Sequence, residues 1–412
     1  MKILFVTQGY YPAIGGTELL MQRLAEELVH QFADEVTVFT TNCYGGEGFY
    51  ISSAPRMQTG WEEINGVRVR RFPVYSWISG LIRFFQRPSN ILPLSLGQYI
   101  RLLASGPIIP GLSQAIQEWP FDVLAASSFP LMHMFIALRA AQKVHRPCVL
   151  NGGMHPLDHW GFDRPMIYQA VQQADHYIAY TQYEADYVIR KGAHASKVTT
   201  IGVGVDPEPF EQISAEEAKK HLGLDPETQL VGFVGQLGWH KGIDTLLKAM
   251  QLVWQVRPET MLLIAGAKTR LALDLERWLD QLSPEERSRI ILRYNFKNEE
   301  KPLLFSALDI FAYPSGFESF GIAFLEAWSA KKPVIGCRSG AVPWVVSAGR
   351  DGLLVGFRDD KLLAQAILTL LENPAWASRL AEAGHDKVIQ RYNWPEIARG
   401  FRKVYQNVTT RE

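Results

Sequence analysis

Two carboxylates, Glu318 and Glu326, stand eight positions apart in the segment Pro314-Ser-Gly-Phe-Glu318-Ser-Phe-Gly321-Ile-Ala-Phe-Leu-Glu326. An apolar run, Asp309-Ile-Phe-Ala-Tyr313, comes before them, and Ile322, Leu325, Glu326, Ser329 and Ala330 follow at helical spacing. The segment reads as strand, loop and helix. At such a junction the first unpaired amides, those of about Ser319, Phe320, Gly321 and Ile322, face whatever lies in front of the helix and favour an anion. Glu318, ahead of the helix, can take hydroxyls of a group beside that anion. Glu326, about two turns in, can take hydroxyls on its far side. A phosphate flanked by two sugar rings would use all of these features.

Other loops carry matching chemistry. Val231-Gly-Phe-Val-Gly235 ends a strand and Gln236-Leu-Gly-Trp-His-Lys241-Gly-Ile-Asp-Thr opens a helix, which puts Lys241 at a helix N-terminus. A lysine there opposes the helix dipole, a cost that makes sense if it neutralises a phosphate. Gly15 and Gly16 lie between the first strand and a helix, where two glycines permit close backbone approach. They lack the Gly-x-Gly-x-x-Gly spacing of a dinucleotide fingerprint, which weakens the alternative of a nicotinamide-dependent oxidoreductase. His155, in Leu150-Asn-Gly-Gly-Met-His155-Pro, follows a strand within a Gly-rich loop and is the imidazole expected at a site. His133 sits in an apolar helix and reads as packed or capping.

These residues need elements to position them. Short apolar strands alternate with amphipathic helices along the whole chain, the pattern of parallel sheets covered on both faces. One series runs through Lys2–Thr7, Glu35–Thr40, Val67–Phe72, Val123–Ala125, Cys148–Asn151 and His176–Ala179. A second runs through Gln229–Val234, Met261–Ala265, Ile290–Leu292, Asp309–Tyr313, Pro333–Cys337 and Gly352–Val355. The expectation is α/β with two Rossmann-like domains facing a central cleft. Gly202-Val-Gly-Val-Asp-Pro-Glu-Pro-Phe210 concentrates Gly and Pro between them. The boundaries are placed at 1–207, completed by 395–412, and 208–394.

Composition permits this reading. The 412 residues suit two domains, and 47% hydrophobic with 20% charged residues is ordinary for a globular protein. The formal net charge of zero gives no global basic field for nucleic acid. Cys43, Cys148 and Cys337 are few and scattered, which points to a reducing compartment and away from a disulfide framework or zinc site. A cytoplasmic address follows, with no signal-peptide core and no membrane-spanning run. One stretch is distinctive. From Ile64 to Gln117 there is no Asp or Glu, while Arg68, Arg70, Arg71, Arg83, Arg87 and Arg101 stand beside Trp77, Ile78, Leu81, Ile82, Phe84 and Phe85. That composition suits peripheral contact with the inner face of a membrane or with a lipid-linked acceptor, or else a packed helix of the acceptor domain.

The paired glutamates resemble the Glu-x7-Glu signature of the retaining glycosyltransferases of family 4, which have the GT-B fold. Ala327-Trp-Ser-Ala-Lys-Lys-Pro333-Val-Ile335 resembles the family's helix end, basic residue, proline and next strand, and Lys241-Gly-Ile-Asp-Thr-Leu246 resembles its lysine word. The resemblance implies transfer of a hexosyl group from a nucleoside diphosphate sugar to a saccharide or lipid-linked acceptor, in surface polysaccharide or glycolipid synthesis. It places Glu318 on the transferred sugar, Glu326 on the ribose, Lys241 on the diphosphate and His155 near sugar or acceptor, with Gly15 and Gly16 near the donor phosphates. It also implies that the last helix, after Tyr392-Asn-Trp-Pro-Glu396, crosses back to the N-terminal domain. No Asp-x-Asp motif or metal-ligand spacing occurs, so no metal or other cofactor is expected.

The chain departs from the family at Gln236, where an arginine is usual, with Lys268 or Arg270 as candidate replacements. Trp344 likewise occupies a position that is commonly acidic. The weakened phosphate loops keep a second class open, a nucleotide-sugar-binding subunit with little or no turnover.

Overall fold

A computed structural model describes residues 1–13, 15–84, 94–268 and 270–410, with the side chains at 84, 94–96, 270 and 271 outside the described set. The chain forms two compact units, Met1–Val203 with Trp394–Glu412, and Gly204–Asn393.

The first unit is built on β1 (Lys2–Val6), β2 (Glu35–Thr41), β3 (Gly60–Ile64), β4 (Val67–Phe72), β5 (Val123–Ala126), β6 (Cys148–Asn151), β7 (His176–Ala179) and β8 (Val198–Thr200). Their order is β3-β4-β2-β1-β5-β6-β7-β8, parallel throughout except for the antiparallel β3–β4 pair. Strands β1, β5, β6 and β7 are almost wholly buried, as continuous apolar runs in a sheet covered on both faces should be. Two strands are additions to the pattern expected from sequence. Strand β3 has no buried residue and β8 only three residues, so neither carries an apolar signal. Both lie at sheet edges, where one neighbour suffices.

Helices Gly16–Phe32 and Trp394–Thr409 lie together on this unit. The first buries Leu20, Met21, Leu24, Ala25 and Leu28. The C-terminal helix buries Ile397, Phe401, Val404, Tyr405 and Val408, with Tyr405 edge-on to Phe5 of β1 at 6.3 Å. Arg402 Nε donates to Asp34 Oδ2 at 2.7 Å, joining residues 368 positions apart. The last helix is therefore part of the first unit.

The second unit has six strands: β9 (Leu230–Val234), β10 (Met261–Gly266), β11 (Ile290–Tyr294), β12 (Ile310–Tyr313), β13 (Val334–Cys337) and β14 (Leu353–Val355). All are parallel, in the order β11-β10-β9-β12-β13-β14. From β9 the chain winds outward through β10 and β11, then returns to β12 on the other side. The strand order therefore reverses between β9 and β12. Open α/β sheets usually take ligands in the crevice outside the carboxyl ends of the strands at such a point, here β9 and β12.

His133 belongs to this framework. It lies near the start of helix Met132–Lys143, fully buried, with Nε2 2.7 Å from the Ser127 carbonyl. A carbonyl only accepts, so Nε2 carries the proton, and the buried Nδ1 has no partner. Burial pushes the imidazole down to about 4 from 6.5, the Ser127 bond opposing. Between these values the unfolded chain binds a proton that the folded chain refuses, so stability should fall as pH drops from 6.5 towards 4. Urea titrations across that window should show the loss, at up to about 1.4 kcal/mol per pH unit for one group. His133→Gln should flatten this part of the profile, and an unchanged slope would remove His133 as its cause.

Candidate functional site

The crevice between β9 and β12 is closed at its floor by backbone. After β9 the chain runs through Gly235–Gly238 and a tight turn, Trp239–Lys241, into helix Ile243–Val256. After β12 it runs through Pro314–Gly321 into helix Ile322–Ser329. Gly316 N donates to the His240 carbonyl at 2.9 Å, tying one loop to the other. Gly242 caps the turn with φ 76°, and a Cβ there would stand 2.3 Å from the Pro314 carbonyl oxygen. Both the conformation and the approach require glycine.

This contact delivers Lys241 and Glu318 to each other. Lys241 Nζ lies 2.7 Å from Glu318 Oε1, with the side chains 12% and 10% exposed. Beneath the pair, Tyr313 stacks on Phe233 at 5.0 Å and on Phe311 at 5.5 Å, and the Lys241 ammonium lies 5.8 Å from the Tyr313 ring centre. Burial raises the Tyr313 hydroxyl well above its ordinary range, with the Glu318 charge adding to it. The phenol stays neutral. Burial also lowers His240, with the Lys241 charge reinforcing and Glu318 opposing. From the far side, Ser339 Oγ after β13 donates to the Gly316 carbonyl at 2.7 Å, so a third loop braces the second.

Several expected positions need correction in detail. Helix Ile322–Ser329 has Gly321 as its N-cap at φ 97°, so its free amides begin at Ile322 and not at Ser319 or Phe320. Ser319 and Phe320 lie on the loop before it, and Phe320 is buried edge-on to Tyr392 at 5.5 Å. Glu326 is the fifth residue of the helix, little more than one turn in. Its carboxylate is 9% exposed and bonded to Lys301 Nζ at 2.7 Å. Lys301 escaped the sequence reading because Asn298-Glu-Glu-Lys301 looks like any solvated charge run. Its one signal is a lysine directly after two acids, shortly before the strand that leads to the paired glutamates.

Gln236 is exposed on the first loop. Lys268 Nζ is paired with Glu276 at 3.2 Å, while the Arg270 side chain lies outside the described residues. Trp344 is 52% exposed.

The remaining expected residues belong to the first unit. Gly15 caps helix Gly16–Phe32, and a Cβ on it would meet the Glu18 carboxylate at 2.2 Å. Glu18 Oε1 accepts from Gln8 Nε2 at 2.7 Å. His155 is half-buried in the loop after β6, edge-on to Phe162 at 5.4 Å. Its loop is held by Glu184, a fully buried carboxylate that sequence reasoning missed. Glu184 accepts from the amides of Gly153, Met154 and Tyr180 and from the Tyr177 hydroxyl, at 2.7–2.9 Å. Burial raises its pKa, opposed by those donors.

In the carboxylate-free segment, helix Ser76–Phe84 leaves Trp77 59% and Leu81 56% exposed, and the Arg83 guanidinium lies 3.6 Å from the Tyr50 ring centre. Phe85 and Arg87 lie outside the described residues. Among the described residues no helix is long and apolar enough to cross a membrane, and no group of three His, Cys, Asp or Glu could hold a metal ion.

Comparison with known proteins fits this geometry. Residues 214–387 match the family model described as Glycosyl transferases group 1, and residues 15–204 match that of a Glycosyl transferase 4-like domain. The D-inositol 3-phosphate glycosyltransferase of Corynebacterium urealyticum is 30% identical over 59% of this chain and 59% of its own. The alpha-maltose-1-phosphate synthase of Mycolicibacterium smegmatis is 28% identical over 54% of this chain and 57% of its own. The chain thus spans less than two thirds of these relatives. Among solved structures, the sucrose-phosphate synthase of Thermosynechococcus elongatus superposes with a TM-score of 0.76 at 19% identity, covering 100% of both chains. Anabaena Alr3699/HepE in complex with UDP gives 0.74 at 20%, covering 99% of this chain and 100% of that one. At these identities the structural likeness is one of fold, GT-B.

The Gly242 contact makes a direct test. Gly242→Ala forces a left-handed alanine, costing roughly 1–2 kcal/mol before any clash with Pro314. Calorimetry should show Tm lower by about 4 °C or more. An unchanged Tm would mean that the two loops do not meet in this way.

Proposed function

The chain belongs to the group 1 glycosyl transferases, and on that premise we propose that it moves a hexosyl group from a nucleoside diphosphate sugar to a saccharide or lipid-linked acceptor, with retention of anomeric configuration. One observation carries the reading: the Lys241–Glu318 pair where the strand order reverses. Each partner of this pair satisfies the other. A donor would separate them, its diphosphate taking the Lys241 ammonium and its sugar hydroxyls taking the Glu318 carboxylate. Glu326 would receive the ribose beside Lys301, and the amides of Ile322 and Ala323 would face the phosphates.

Departure of the diphosphate is then assisted by Lys241 and the helix N-terminus, without a metal. The acceptor attacks from the face that the diphosphate leaves, and the leaving phosphate oxygen accepts its proton, so no carboxylate nucleophile is needed. His155 would help to orient sugar or acceptor. Domain limits at 1–207 with 395–412 and at 208–394 remain part of the proposal. UDP is the first nucleotide to test, since the HepE structure has it bound.

Glu318→Gln keeps the shape of the side chain while removing its charge, so kcat should fall at least roughly a hundredfold with little change in UDP affinity. Glu326→Ala should mainly weaken nucleotide binding. Full transfer by either folded variant would exclude the assigned role. The product anomer, read by NMR, should match the donor, and EDTA should leave the rate unchanged. A binding subunit without turnover, the reading that exposed, uncharged Gln236 favours, would bind UDP-sugar and neither transfer nor hydrolyse it.

The exposed Trp77 and Leu81, on the helix that also carries Arg83, support a further part of the reading, peripheral docking at a membrane that presents the acceptor. Binding to anionic vesicles should be strongest at low salt and should weaken with ionic strength. Protein that stays in the supernatant at low salt would assign the helix to the acceptor domain alone.

A further inference from the structure

We infer that the first unit carries a site for an anionic group, phosphate or carboxylate, built on the guanidinium of Arg164, with Arg101 at its edge and the Trp160 indole as its cover. The proposed function enters only in naming the bearer of that group, the acceptor sugar.

Arg164 precedes helix Pro165–Gln173 and is 1% exposed. Its Nε reaches the Trp160 carbonyl at 3.4 Å, and its buried Nη1 has no hydrogen-bond partner. Among the described residues no carboxylate forms an ion pair with it. Asp158, whose field reaches it, instead caps helix His159–Phe162, accepting from Gly161 N at 2.9 Å. A buried guanidinium without a counter-charge is costly, and an apolar side chain of similar volume would fill the space more cheaply. Burial pushes Arg164 down to about 10, and the positive charge of Arg101 adds to the strain. An anion would relieve both.

The surroundings are those of a binding site and not of a sealed core. Arg101, on helix Leu94–Ser105, lies with its guanidinium 5.1 Å from the Trp160 ring centre, and the Arg164 guanidinium lies 5.7 Å from the same ring. Gln98 of that helix accepts from Met166 N at 3.1 Å, which fixes it against the start of helix Pro165–Gln173. Trp160 itself is 46% exposed on a four-residue helix, so the cover over Arg164 is in contact with solvent. A planar guanidinium takes a phosphate or carboxylate through two parallel bonds, which gives orientation as well as affinity. The cluster lies on the connection that follows β6, the same one that bears His155, at the carboxyl edge of the sheet where ligands of open α/β sheets approach. An anion held there would present a neighbouring hydroxyl of the acceptor in a set direction.

The test uses the whole chain without nucleotide and three probes: glucose 6-phosphate, glucuronate and glucose. Calorimetric titration should show binding by at least one anionic probe and none by glucose. Binding of the phosphate alone assigns a phosphoryl site, of glucuronate alone a carboxylate site, and of both the shared chemistry. Arg164→Met should abolish the binding without lowering Tm, and Arg101→Gln should weaken it roughly tenfold, one charge-assisted hydrogen bond. UDP affinity should stay unchanged in both. If Arg164→Met fails to fold, Arg101→Gln carries the test. Absence of binding by both anions at millimolar concentration, or binding indifferent to Arg101→Gln, overturns the site. A chain that binds UDP and no anion fails here alone, and one that binds anion and no UDP fails the donor reading alone.

Discussion

The second unit depends on one close approach, the Gly242 backbone against the Pro314 carbonyl. Sheet topology brings the β9 and β12 loops to the same crevice, and the missing side chain lets them touch. The Lys241–Glu318 pair is placed from that contact, and Glu326 is held separately by Lys301. The Lys241–Glu318 bond spans 77 positions of sequence, and it exists because two backbones meet beneath it. A salt bridge so little exposed contributes little net stability, since desolvation offsets attraction. Its value lies in orientation. Two opposite charges are held in place side by side at the carboxyl edge of the sheet.

The floor under that pair is aromatic and rigid. Phe233, Phe311, Tyr313 and Phe324 interlock with centroid distances of 5.0–5.9 Å across β9, β12 and the helix that follows. Trp328, fully buried at the back of that helix, donates Nε1–H to the Asp351 carbonyl at 2.9 Å. A Cβ on Gly384 would stand 2.1 Å from the Trp328 ring, so helix Pro374–Arg391 packs directly on the indole. Such packing leaves the loops after β9 and β12 few ways to relax.

The first unit positions its polar groups by a different device. Single buried charges gather backbone from several elements. Glu184 takes the amides of two segments, and Arg71, 4% exposed, bonds to Glu62 of β3 and to the carbonyls of Tyr10 and Tyr11 after β1. Each charge converts a glycine-rich or irregular loop into a fixed surface. Arg164 differs from them in that its buried Nη1 has no hydrogen-bond partner.

What the sequence determined by itself was local and periodic. Buried parallel strands such as β9 and β12 are unbroken apolar words, because both faces of the sheet must be dry, and their positions could be read directly. The Glu318–Glu326 spacing and the Lys241 word were legible for the same reason, since their geometry is set within one loop and helix. The tertiary structure alone decided what depends on a distant neighbour. Strand β3 is polar Gly60-Trp-Glu-Glu-Ile64 and becomes a strand only by pairing with β4. Lys301 meets Glu326 across 25 positions, and Arg164 lies beneath Trp160 with Arg101 at its side. Charge runs and single arginines look alike along a chain. Whether water or protein surrounds them is settled by the packing of elements remote in sequence, and burial is what gives such charges their chemistry.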